Sequence, residues 1–198
     1  MVALVEPWIM QRKTGKEFVG VGLLTMLFVA SGVTSANTVG TRDGNDTPGR
    51  LDIRLIVHGH QLQEEHRLTR HRLSMHRRWY TRHLRGDLSF INMFLNTDGD
   101  KRSERRLTID VREKRLIARM DRFPSGKRVG YAEVWRPNRW SVSMAFPESF
   151  LGQGVTAYEW NANSFFHTGG DGPCGIPTDV VRTCTDRAPN RGQIKHRL

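Results

Sequence analysis

Short runs in which apolar and polar residues alternate recur along most of the chain, and they predict an all-β fold. The first run predicts a strand with four apolar residues on one face: Leu51, Ile53, Leu55 and Val57. Further runs that alternate in this way, or are strongly apolar, lie at 88–95, 107–111, 116–120, 129–136, 140–146 and 158–166. A period of two is typical of a strand with one buried face. Residues 66–75 fit a strand or a helix.

Turn-forming residues separate these runs and set the predicted domain organisation. Asn96–Asp100 and Arg136–Arg139 predict tight turns, and 148–152 predicts one helical turn. Seven to nine short strands joined in this way predict a single antiparallel β-sandwich over residues 51–166. We expect a polar, mobile leader at 37–50 and a loop region at 167–198, which is rich in Gly, Pro, Asp and Arg.

The N-terminal region has the pattern of a secretory signal. Three basic residues up to Lys16 precede a run of about 13 mostly apolar residues from Phe18 to Ala30. That length suits a signal-peptide core and is short for a membrane span. We predict a signal peptide at 1–36, cleaved after Ala36, so that the domain is secreted or extracytoplasmic. An uncleaved membrane anchor is the alternative, and the start could be Met1 or Met10.

The chain has two cysteines, Cys174 and Cys184, and both follow the predicted signal. An even pair in an exported protein most often forms a disulfide. We therefore predict that this bond ties down the C-terminal loop region. Free thiols or half of a metal site are the alternatives.

The chain carries 31 Lys and Arg residues against 20 Asp and Glu, a formal net charge of +11. Arginine dominates, which codon bias in a GC-rich genome explains without any nucleic-acid ligand. A secreted domain with this charge would still adhere to anionic polymers in a salt-dependent way. We expect a cell-wall glycan or anionic envelope polymer as partner, no specific nucleic acid, and membrane contact only through the signal segment.

Histidines are concentrated between residues 58 and 83, and they carry the first candidate metal site. His58 and His60 share one face of a strand, a spacing that zinc can use, and Glu64, Glu65 or His71 could add a third ligand. Two alternatives are a solvated basic surface and a cluster that gains charge near pH 6.

A second candidate metal site lies in the turn at Asn96–Asp100. Oxygen ligands at Asn96, Asp98 and Asp100, with Glu104 nearby, suit calcium. The twelfth position is Leu107 rather than Glu, so an EF-hand is excluded. The favoured interpretation is a plain β-turn.

No catalytic residue is predicted. Ser141 and Ser143 lie within a predicted strand and outside any GxSxG motif. Asp179 and Asp186 are interpreted as surface acids without an apolar pocket to raise the pKa. Six aromatic residues could form a stacking platform, although we favour core packing: Trp79, Tyr80, Trp135, Trp140, Tyr158 and Trp160.

The order of turns and strand ends resembles that of bacterial secreted proteins of uncharacterised function. It runs from 46–53 (DTPGRLDI) through 94–100 (FLNTDGD), Arg136-Pro137, Phe146-Pro147 and 158–160 (YEW) to 186–189 (DRAP). The likeness covers residues 43–190. It implies a sandwich similar to sugar- or haem-binding domains of the CBM9/DOMON type, and it transfers no ligand residues, because no Met/His pair can be assigned to haem.

These observations predict a secreted, non-enzymatic binding or cell-envelope-associated module without a cofactor. The alternatives are a metal-dependent hydrolase that uses His58 and His60 with zinc, and an Arg-rich polyanion-binding protein. Calcium at the Asn96–Asp100 turn is compatible with the binding module.

Overall fold

A computed structural model describes residues 36–63, 66–84, 89–169 and 181–198. In these ranges the regular structure is almost entirely strand: β1 (Ala36–Arg42), β2 (Ile53–Gln63), β3 (His66–Met75), β4 (Ser89–Asn96), β5 (Arg105–Arg112), β6 (Arg115–Arg122), β7 (Arg128–Trp135), β8 (Ser141–Pro147), β9 (Ala157–Gly169), β10 (Val181–Ala188) and β11 (Ile194–Arg197). Single 3₁₀ turns occupy Thr81–His83 and Glu148–Phe150. No helix in the described ranges has the length and apolar character that crossing a membrane requires. The all-β prediction is confirmed.

The strands form one antiparallel sheet that curls on itself. Its order is β1-β2-β3-β8-β7-β6-β5-β4-β9-β10, and β11 pairs with β9 beside β10. Strand β7 belongs to both halves, because it pairs with β8 on one side and with β6 on the other. Side chains of β9 meet those of β2 and β3 across the interior, so the predicted sandwich is one continuous sheet folded over its own core.

Large apolar side chains fill the space between the two halves. The largest of these fully buried side chains are Trp79, Trp160 and Phe146. Hydrogen bonds also join the halves directly: for example, the Ser164 hydroxyl donates to the Leu51 carbonyl at 2.6 Å, and the Ile53 amide donates to Asp186 Oδ2 at 2.6 Å. These buried polar groups thus have partners across the core, as is typical of a low-dielectric interior.

A β-bulge in β2 changes the predicted faces of the first strand. The pairing with β3 shifts between Ile53 and Leu55, so the residues after the bulge reverse their side. Ile56, not Leu55, is therefore buried with Ile53, and Leu55 and Val57 lie on the outer face. The prediction that Leu51, Ile53, Leu55 and Val57 share a face was wrong for its second half.

Both flanks of the predicted sandwich contain strands. Within the leader predicted at 37–50, β1 pairs with β2 as far as Arg42. The region 167–198, predicted as a loop, contributes β10 and β11. Cys184 is buried in β10. Its predicted disulfide partner Cys174 lies outside the described residues, as does the predicted signal up to residue 35, and both remain predictions.

Candidate functional site

The inner face of β2 carries His58 and His60, as the sequence predicted, and it brings them to two further histidines. His71 comes from the neighbouring β3 and His196 from β11 on the other half of the sheet. The His196 ring centroid lies 4.3 Å from those of both His58 and His60, and the His71 centroid lies 4.3 Å from that of Trp160. The result is a packed layer of imidazole and indole rings, which we call the histidine cluster: His58, His60, His71 and His196.

Hydrogen bonds hold this cluster in place. His71 Nε2 shares a 2.7 Å hydrogen bond with the Tyr158 hydroxyl, and the Trp160 indole N–H donates to His58 Nδ1 at 3.3 Å. His60 Nε2 lies 2.7 Å from the Arg197 carbonyl oxygen. Because the partners come from β9 and β11, the cluster fastens the two halves of the sheet together.

Burial keeps His58, His71 and His196 uncharged at neutral pH. Desolvation, with repulsion from neighbouring imidazoles, lowers the pKa of His196 to about 3 and that of His71 well below its ordinary value. Desolvation also lowers the pKa of His58, and it raises the pKa of the Tyr158 hydroxyl well above its ordinary value. At neutral pH these groups are therefore hydrogen-bonding core residues rather than charges.

The nitrogen atoms of the cluster do not converge on one point. Among the described residues, donor atoms of three or more His, Cys, Asp or Glu side chains come within 4.8 Å of one another at two places, and neither includes a histidine. Glu148 Oε1 lies 3.7 Å from His60 Nδ1. Glu64 and Glu65, the predicted acidic ligands, lie outside the described residues. The geometry therefore brings His58, His60 and His71 together without arranging them as zinc requires.

The turn at Asn96–Asp100 uses its side chains to satisfy its own backbone. Asn96 Oδ1 accepts from the Gly99 amide at 2.8 Å, and Asp98 Oδ1 accepts from the Asp100 amide at 3.0 Å. Glu104 Oε2 accepts from the Thr97 amide at 2.6 Å. Carboxylate oxygens of Asp98, Asp100 and Glu104 do lie within 4.8 Å of one another, but backbone amides already occupy one oxygen of each. The favoured interpretation as a turn agrees with this geometry.

Asp186 differs from its prediction as a surface acid. It lies in β10 with 1% of its surface exposed. Burial raises its pKa to about 6, against the lowering effect of the Ile53 amide, and nearby Asp52 raises it further. Asp179 lies outside the described residues. The sequence interpretation failed because alternation in β10 places an acid, rather than an apolar residue, at an inward position.

The predicted aromatic residues divide between the core and the surface. Trp79, Tyr158 and Trp160 are buried, as the core interpretation predicted, whereas Trp140 and Tyr80 are 36% and 39% exposed. Arginine lies over several of these rings. The Arg70 guanidinium carbon is 5.0 Å from the Trp135 ring centroid, and that of Arg78 is 4.9 Å from the Trp140 centroid, distances at which the ring attracts a cation.

A shallow groove of about 380 Å³ runs over the outer face of β2, β3 and β8. We call it the arginine groove. Its lining includes Arg54, Arg72, Ser74, Asn138, Trp140 and Ser141. Arg72 donates from Nε to the Ser143 hydroxyl at 3.1 Å, which orients its guanidinium, and the Ser74 and Ser141 hydroxyls lie 2.8 Å apart. The bulge in β2 creates this surface, since it turns Leu55 and Val57 outward as its floor.

The guanidinium groups of the groove have no acidic partner. Within the described part of the chain, no carboxylate lies within 4.0 Å of the guanidinium group of Arg54 or Arg72. By contrast, three arginines surround the buried Asp121 on the other half of the sheet: Arg106, Arg119 and Arg128. The groove therefore presents two guanidinium groups without an acidic partner and one partly exposed indole to solvent.

No family model, curated protein or solved structure matched this chain.

Proposed function

We propose that this protein is a secreted, non-enzymatic binding module that holds an anionic envelope polymer in the arginine groove. The observation that carries the proposal is the absence of any carboxylate beside the guanidinium groups of Arg54 and Arg72 within the described residues. A planar guanidinium matches carboxylate and phosphate oxygens in two-point hydrogen bonds, so such a group is suited to an external anion.

The remaining groups of the groove favour a polymer that also carries sugar or polyol units. Trp140 is 36% exposed, so part of its indole can contact an apolar sugar face, and Arg78 lies over the same ring. The Ser74 and Ser141 hydroxyls also line the groove, but they are buried and hydrogen-bonded to each other. The resemblance to CBM9/DOMON-type secreted domains is consistent with such a ligand.

The predicted export of the chain places it where such polymers occur. The apolar run from Phe18 to Ala30 supports secretion, and secretion in turn supports a disulfide between Cys174 and Cys184. The net charge of +11 would attract a polyanion over distances up to the Debye length, about 10 Å at 0.1 M salt.

The test is a fluorescence titration of the full chain, read through tryptophan emission. The probes are a polyuronate, a poly(glycerol phosphate) and an uncharged glucan. We expect both anionic polymers to bind and the glucan to bind at least tenfold more weakly. Arg72→Gln removes a charged donor and should weaken binding about tenfold, and Trp140→Ala should weaken it several-fold.

The matched control is Arg115→Gln, which removes the same charge from the exposed β5–β6 hairpin. It should change affinity less than twofold. Equal weakening by Arg72→Gln and Arg115→Gln would show that only net charge matters and would overturn the groove assignment. Equal affinity for double-stranded DNA would favour a general polyanion-binding protein instead.

A further inference from the structure

The loop between β1 and β2 and the end of β10 bring four acids together. Asp43 and Asp46 come from the loop, Asp52 from the residue before β2, and Asp186 from β10. Carboxylate oxygens of Asp43, Asp46 and Asp186 lie within 4.8 Å of one another. The chain separates the first and last of these acids by more than 140 positions, so the fold itself assembles the group, which we call the carboxylate cluster.

Asp52 supplies a second observation that points to a ligand. It has 1% of its surface exposed, and both of its carboxylate oxygens are inaccessible to solvent without a hydrogen bond of good geometry. Burial raises the pKa of Asp52, and this outweighs the lowering effects of the neighbouring His76 and of the Thr47 amide. Asp52 interacts electrostatically with Asp43, Asp46 and Asp186, so its carboxylate lies beside the other three. An unpartnered buried carboxylate costs several kcal/mol unless something neutralises it.

The surrounding groups hold the acids without neutralising them. Asp186 Oδ2 accepts from the Ile53 amide, and Asp46 Oδ2 accepts from the Asn190 side-chain amide at 2.6 Å. Arg42 and Arg54 line a cavity beside Asp43. In the described ranges, however, no Lys or Arg lies within 4.0 Å of a cluster carboxylate. One oxygen of Asp43 is also buried without a partner.

We propose that the carboxylate cluster binds one calcium ion, which ties the β1–β2 loop to the end of β10. The donors are oxygens of Asp43, Asp46 and Asp186 at irregular spacing, with the charge of Asp52 beside them, and calcium accepts six to eight oxygens in flexible geometry. Asp46 is exposed, which gives the ion a route from solvent. His76, whose Nε2 atom is also buried and unpartnered, lies beside the site, so zinc is the competing ion that the test must separate.

The test compares thermal unfolding of the full chain in EGTA with unfolding in 5 mM CaCl2 at pH 7.5, together with calorimetric titration of calcium. We expect a stoichiometry of one and a rise in Tm of about 5 °C or more. Asp186→Asn keeps an oxygen acceptor for the Ile53 amide. It should leave the Tm in EGTA unchanged or higher, and it should weaken calcium binding at least tenfold.

The matched control is Asp98→Asn in the turn at Asn96–Asp100, which also keeps its backbone acceptor and should retain the calcium response. Loss of the response in Asp98→Asn but not in Asp186→Asn would overturn the proposal, as would the lack of any shift at 10 mM calcium. A response to zinc alone that His76→Gln removes would overturn the assignment to calcium. Should Asp186→Asn fail to fold, the exposed Asp46→Asn replaces it with the same expectations.

Discussion

Lowering the pH should destabilise this protein through its buried histidines. In the folded state the pKa of His196 is about 3, because of desolvation and repulsion from His58 and His60, while in the unfolded chain it is near 6.5. Below pH 6.5 the unfolded state therefore binds a proton that the folded state refuses. The contribution of neutral His196 to the free energy of unfolding is therefore fully present above pH 6.5 and is lost as the pH falls from there toward 3.

The size of the loss follows from this difference in proton binding. Between pH 6.5 and pH 5.0, each such histidine lowers the free energy of unfolding by about 1.36 kcal/mol per pH unit, because only the unfolded state binds the proton. His196 therefore costs about 2 kcal/mol at pH 5.0, and His71, whose pKa is also well below its ordinary value, acts in the same direction. The charged or titratable groups that face His196 and its neighbours are those of His58, His60, His71, Tyr158 and Glu148.

The assay is urea denaturation of the native chain and of His196→Gln at pH 7.5 and pH 5.0, at constant ionic strength. Comparing the two chains is essential, because the raised pKa of Asp186 works in the opposite direction and stabilises the fold as the pH falls through about 6. We expect the stability advantage of the native chain over His196→Gln to shrink by about 2 kcal/mol between the two pH values.

Ile194→Val on the same strand is the control. It removes a methylene from a half-buried side chain, and its cost of about 1 kcal/mol should be the same at both pH values. If the difference between the native chain and His196→Gln is also independent of pH, then His196 is not held neutral by burial, and the reasoning is refuted.

Two further substitutions test the packing of the fold, and urea denaturation measures both. At Gly49, φ is +137° and a Cβ atom would lie 2.1 Å from the Phe166 ring. Gly49→Ala should therefore lower the free energy of unfolding by about 2–4 kcal/mol. The control is Gly192→Ala, where φ is +72° and the space around the glycine is open, and it should cost only about 1–2 kcal/mol. Equal losses for the two variants would contradict the predicted clash at Gly49. Asp121→Asn leaves three partly exposed arginines without their buried carboxylate. It should cost about 2 kcal/mol, and a loss below about 0.5 kcal/mol would show that solvent screens these ion pairs.

Local alternation predicted the strands whose inward positions are apolar, and it failed where they are not. In β10, buried and exposed side chains alternate as in any strand with one inner face, and Cys184, Asp186 and Ala188 are the buried ones. A sequence interpretation that seeks apolar residues at every second position overlooks it, because an acid occupies the central position. The bulge after Ile53 was equally hidden, since one extra residue in a strand has no signature in the apolar pattern.

The candidate sites show the same limit. The spacing of His58 and His60 places them on one face of β2 whatever the topology, and this prediction was confirmed. His196 joins them only because β11 pairs with β9, and Asp186 meets Asp43 only because the β1–β2 loop reaches β10. Contacts between residues so distant in sequence depend on the order of strands in the sheet, which turns and periodicity do not specify.

The two proposed sites are electrostatic neighbours, and this changes how each must be measured. Arg54 and Leu55 line both the arginine groove and the cavity beside Asp43. Four carboxylates without a cation would repel an anionic polymer that approaches Arg54, and one bound calcium ion would remove half of their formal charge. Calcium should therefore favour the polymer, and by linkage the polymer should favour calcium by the same factor. An affinity for the groove has a defined meaning only at a fixed calcium concentration, because Arg54 lines both the groove and the cavity beside Asp43.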